Sequence, residues 1–98
     1  MGSSLKSANF LVESRMRDAA RGNVNAYYEL GMVYSSGAEG LDIDLIEAHK
    51  WFNLAAIGGN IRAQECRAEI ADEMSAREII EAQKAARAWL QTTARAAA

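Results

Sequence analysis

Few side chains in this sequence can take part in covalent or proton-transfer chemistry. There is one histidine, His49, one cysteine, Cys66, a serine pair ahead of a glycine, Ser35-Ser36-Gly37, and two couples of carboxylates, Asp42/Asp44 and Asp72/Glu73. An imidazole beside a carboxylate is the usual acid–base pair or metal ligand set, and a thiol or hydroxyl becomes a nucleophile when a base stands next to it. Spacing argues against each use. Glu47 lies two residues from His49, so on a helix the two point apart and cannot share a metal or a proton. Cys66 has no second cysteine and no helix-start position to activate it, which leaves a small packed apolar group. Ser35 lacks the Gly-x-Ser-x-Gly frame of a serine nucleophile. The carboxylate couples flank helix starts, where the helix dipole favours negative charge. The expectation is no catalytic residue, no metal ligand and no cofactor.

The elements that would position these side chains are helical. From Asp44 to Ile57 the apolar residues Ala48, Trp51, Phe52, Ala55 and Ala56 recur at helical spacing. Asp44 and Glu47 are spaced as a reciprocal capping box at its start, and Gly58-Gly59 closes it. Asn23 caps a second helix with Ala26, Leu30, Val33 and Tyr34 inward, ending at Gly37. Asn60 caps a third, with Ala63, Cys66 and Ile70 inward. Ser75 and Glu78 form another capping box ahead of Ile79, Ala82, Ala86, Trp89 and Leu90. Phe10 to Arg21 reads as a first helix with Val12, Met16, Ala19 and Ala20 inward. Nothing alternates with period two, so no sheet is predicted.

An internal repeat orders these helices. Gly22-Asn23-Val24-Asn25-Ala26 returns as Gly59-Asn60-Ile61-Arg62-Ala63, 37 residues later, and Ala19 and Ala56 obey the same shift. Trp51 and Trp89 follow at 38. Helical hairpins of this period stack side by side, which makes the predicted fold all-α, a short right-handed α-solenoid of about five antiparallel helices.

The chain shows Leu30, Gly31 and Tyr34 in one helix and Ala48, Phe52 and Ala55 in the next. The connection between them carries Gly37, Gly40, Leu41 and Asp44, followed by Ala48 and Trp51. It resembles the signature G-x-G-V-x-x-D-x-x-x-A-x-x-W of the Sel-1-like repeat family, with Leu41 in the Val place and one extra loop residue. The run from Glu47 to Ala56 is the most specific part, and counting partial repeats the resemblance covers residues 10–90. A tetratricopeptide repeat has period 34 and a tighter turn. The resemblance implies a half repeat at 5–21, a full repeat at 22–58 and a degenerate capping repeat at 59–94, in which Arg67 and Ala68 replace Leu30 and Gly31. Residues 95–98 read as a frayed tail. Met1-Gly2-Ser3-Ser4 resembles a cloning remnant.

Composition narrows the partners. The 98 residues are 50% hydrophobic and 24% charged, with net charge −2 and no proline. Both signs are interspersed along the chain, so there is no phosphate-binding stripe and no nucleic-acid partner is expected. No apolar run approaches the roughly 18 residues of a membrane span, and the run before Glu13 is shorter than the roughly 7 of a signal peptide. A lone cysteine suits a reducing compartment, so a cytoplasmic protein is expected, or a periplasmic one if a signal peptide has been removed.

What remains is a surface. In α-solenoids the first helix of each hairpin lines the concave face, and the positions there that packing does not need are Asn25, Tyr28, Met32 and Ser35. One repeat later they are Arg62, Glu65, Glu69 and Asp72. Tyr28 and Met32, flanked by acids, form an anchor for a partner peptide or helix unless the last helix folds over them. The resemblance implies a non-enzymatic adaptor or scaffold that binds a protein partner. Two alternatives stay open: a module that self-associates as a homodimer or belongs to a longer solenoid, burying Phe10, Leu11 and Met16, and a small hydrolase akin to the cysteine-rich branch of the family, whose paired cysteines this chain lacks.

Overall fold

The computed structural model describes the backbone of residues 3–97 and the side chains of residues 9–38 and 40–94. Met1, Gly2 and Ala98, at the two ends assigned above to a cloning remnant and a frayed tail, lie outside the described residues. Five α-helices run in order: α1 (Ser3–Ala20), α2 (Val24–Ser36), α3 (Leu45–Ile57), α4 (Ile61–Ala71) and α5 (Ala76–Ala97), with a short 3-10 turn at Ala38–Gly40 between α2 and α3. The fold is all-α, and there is no strand among the described residues. No helix among them is long and apolar enough to cross a membrane.

The caps read from sequence set most of the boundaries. Asn23 accepts from the Ala26 amide at 3.0 Å and Asn60 from the Ala63 amide at 2.9 Å. The Ser75/Glu78 box is reciprocal, with Glu78 receiving the Ser75 amide at 2.9 Å and the Ser75 hydroxyl receiving the Glu78 amide at 3.1 Å. The turn before each asparagine repeats two of its backbone bonds. Gly22 and Asn23 donate to Ala19 and Asp18, and 37 residues later Gly59 and Asn60 donate to Ala56 and Ala55. Gly22 and Gly59 hold φ of 82° and 100°, a left-handed conformation that glycine adopts without strain.

Two boundaries and one cap differ from the sequence reading. α1 begins at Ser3, well before Phe10, although no cap signal precedes it. α5 continues through Ala97, past residue 94. The Asp44/Glu47 box is one-sided: Asp44 accepts from the Glu47 amide, but its own amide donates to the Tyr34 carbonyl at 2.9 Å. That bond folds the loop back onto the end of α2 and leaves the Glu47 carboxylate free for Lys50, 3.3 Å away.

α3 is the hub. α2, α4 and α5 all pack on it, and α1 packs on α2. The expected capping hairpin of α4 with α5 does not close, because α5 reaches back to α3 and makes little contact with α4. Ala82 and Ala86, both sealed, let α5 approach closely enough for Trp89 to meet Trp51 edge-on at 4.9 Å. Trp51 also stacks on Tyr27 at 5.9 Å, and Tyr34, read as inward, borders the core. Ala20 and Leu90, read as inward, are exposed.

Phe52 fixes the distance between α2 and α3. A Cβ built on Gly31 would stand 2.5 Å from the Phe52 ring, so the two helices meet at this glycine only because it has no side chain. Gly31→Ala is therefore expected to destabilise the chain by about 1–3 kcal/mol in urea unfolding. In an open helix the same change would stabilise by up to about 1 kcal/mol. A stabilised variant would refute the contact.

Candidate functional site

α2 and α4 both start at the turns that the 37-residue repeat duplicates, and both lie against α3. The eight residues read from sequence as a concave face divide into groups that the structure treats differently. Asn25 stands exposed in the first turn of α2, and Arg62, Glu65, Glu69 and Asp72 are exposed along α4, with Asp72 at its C-terminal cap. Ser35 is half-buried, and its hydroxyl donates to the Met32 carbonyl at 3.2 Å, so it is engaged with its own helix. Met32 is 44% exposed.

Tyr28 departs from the sequence reading. It belongs to the packing set after all: its ring tilts against Phe52 at 6.0 Å and it borders the core. The two successive tyrosines of α2 share the flanks of α3, Tyr27 toward Trp51 and Tyr28 toward Phe52. The Tyr28 hydroxyl reaches the Arg62 guanidinium and, with Cys66 and Glu65 nearby, holds it above its ordinary value. Tyr28, Arg62, Glu65 and Cys66 thus come together across α2 and α4. α5 does not cover them, because it packs on the other flank, where Trp89 donates to the Tyr27 hydroxyl at 3.3 Å.

The residues with chemical potential are dispersed. His49 is 3% exposed, and its Nδ1 has no hydrogen-bond partner among the described residues. Burial first, and then Arg67, pushes its titration below the ordinary imidazole value. Cys66 is half-buried against the core. Tyr34 is pushed up by burial and by Glu47 and Asp44. No three His, Cys, Asp or Glu side chains among the described residues gather as a metal set.

Two features escaped the sequence reading. Lys50, its side chain only 15% exposed, sets Nζ 4.3 Å from the centre of the Trp51 ring and 5.5 Å from that of Trp89, with Glu47 as its ion-pair partner. This cation lies over both indoles and reinforces the contact of α5 with α3. Trp51 and Trp89 at a spacing of 38 were a signal for it, but the intervening lysine was not. The second is a shallow groove of about 530 Å³ where α1 and α3 end, floored by Tyr27 and Leu54 and edged by Ile57, Leu90 and Arg21. Its only sequence signal was that Ile57 falls off the apolar stripe of its helix.

Comparison with known protein families, curated proteins and solved structures finds no match to this chain.

These positions separate packing from surface in a measurable way. Tyr28→Ala is expected to cost roughly 2 kcal/mol in urea unfolding, from the lost ring contact with Phe52. Met32→Glu is expected to stay within about 0.5 kcal/mol of the native chain. Equal costs would place Met32 in the core.

Proposed function

We propose that the chain is a non-enzymatic interaction module of the Sel-1-like repeat kind, which takes a helix or extended peptide of a partner protein on the face of α2 and α4. The observation that carries this reading is Met32, a large apolar side chain exposed at 44% in mid-helix. Beside it, Tyr28 offers a ring edge held by Phe52, and Glu65, Glu69 and Asp72 form a row of free acids along α4. Such a face suits a partner that brings one apolar side chain to Met32 and lysines or arginines to the acids, with Arg62 and Asn25 at the margin.

Support for the family comes from the repeated turns at Gly22 and Gly59 and from Gly37 and Gly40, the two loop glycines of the signature, which both hold positive φ. Cys66, a free thiol packed against the core, suits a reducing compartment such as the cytoplasm. A second reading, self-association, is favoured by Phe10, which is 68% exposed on α1.

The test uses immobilised chain against native lysate, with Met32→Glu and Glu65→Lys/Glu69→Lys variants as controls of equal fold. The expected result is a protein held by the native chain, lost from both variants and released by raised salt. Equal recovery on all three baits overturns the reading. A dimer seen by light scattering and abolished by Phe10→Glu would replace it with self-association.

A further inference from the structure

The α3–α4 seam contains one of the buried polar atoms that have no hydrogen-bond partner among the described residues. His49 is sealed there with an unpartnered Nδ1, and Arg67 of α4 crosses the same seam to donate to Asn53 of α3 at 2.6 Å. We propose that His49 is an acid trigger for α4: a proton on this imidazole releases α4 from α3 while the other helices stay docked.

Three observations carry the inference. First, a cation at His49 would be buried with an Nδ1–H that has no acceptor among the described residues, in the field of the Arg67 cation, which is an unfavourable arrangement. Arg67 is the charged group that acts on it. The other charged or titratable groups that pack around α3 are Glu47 with Lys50, Lys50 against Trp89 of α5, Tyr34 of α2 beside Glu47 and Asp44, Tyr27 and Tyr28 of α2 against Trp51 and Phe52, and Cys66 of α4 against the core. Second, α4 is lightly anchored. Its one fully buried residue is Ala63, with Cys66 and Ile70 half-buried, and it leans on α3 with little help from α5. Third, α5 has its own attachment to α3 through Trp89, Trp51 and Lys50, so α4 can leave without it.

The direction follows from the imidazole's environment. Above pH 6.5 both docked and released α4 carry a neutral His49, and docking has its full strength. As the pH falls below 6.5 the released form takes up a proton that the docked form refuses, so docking weakens until the lowered value of the docked imidazole is passed. Because α4 carries Arg62, Glu65, Glu69 and Asp72, release would dismantle the partner face. That consequence rests on the function proposed above, whereas the release of α4 does not.

His49 is the only histidine in the chain, so the window from pH 7 to pH 5 isolates it. The experiment is hydrogen exchange of the α4 amides at pH 7 and pH 5, corrected for intrinsic exchange, in the native chain and in His49→Gln, without any partner. The expected result is a loss of α4 protection at pH 5 of up to roughly 25-fold, the most that an ordinary imidazole excluded from the docked state can give. α2, α3 and α5 should hold their protection, and His49→Gln should show no pH effect. Equal loss in the variant, loss in all helices together, or no loss in the native chain overturns the proposal. Should His49→Gln fail to fold, the single imidazole is titrated by NMR in the native chain. A value clearly below 6.5 with α4 docked supports the trigger, and an ordinary value overturns it.

Discussion

The burial of Trp51 and Phe52, consecutive residues of α3, is the constraint on which the other helices depend. Consecutive helical side chains diverge by about 100°, so the pair presents two aromatic surfaces to two different neighbours. Phe52 lies on Gly31 and beside Tyr28, which sets the spacing and rotation of α2. Trp51 meets both Tyr27 and Trp89, which are joined by the Trp89 N–H bond to the Tyr27 hydroxyl, and this contact draws α5 back across the molecule. Its indole N–H has no hydrogen-bond partner among the described residues, so its position rests on stacking and shape. Lys50 adds charge to that contact from its outer side, paired with Glu47 and lying over both indoles.

What the sequence displayed most clearly was local. Asn23, Asn60, Ser75 and Glu78 act through bonds within one turn, so their residue types and spacing suffice to identify them. Gly31 was legible because an interior helical glycine costs stability unless something packs on it. What escaped depended on neighbours distant in the chain. Nothing local distinguishes Tyr27 from Tyr28; both are claimed by α3, through aromatic residues that come more than twenty positions later. The Asp44 amide was lost to the Tyr34 carbonyl for the same reason, since a loop closing on the previous helix outbids a capping box within one turn. The start of α1 at Ser3 lies seven residues ahead of the apolar pattern that begins at Phe10. The surface positions were legible on α4, where most residues face water, and less so on α2, where a half-buried Tyr28 and a self-bonded Ser35 leave Met32 as the free apolar group.

The two copies of the repeat show how one architecture carries different strengths of attachment. Leu30 in α2 is sealed in the core, whereas the residue 37 positions later is Arg67, whose guanidinium bonds Asn53. Burial of a leucine contributes about 1.5–3 kcal/mol without regard to pH. A hydrogen bond from a charged donor contributes a similar amount, but only while the groups around it keep their charge state. The exchange of Leu for Arg at this repeat position therefore need not weaken the α4 contact, but it changes what the contact responds to. His49, with no acceptor for a second proton, stands next to that bond and makes the seam answer to acid, while the Leu30 seam of α2 has no such group. One helix is thus made conditional while its counterpart 37 residues earlier stays fixed: the glycine turn and asparagine cap are copied, and the difference lies in the side chains that meet α3.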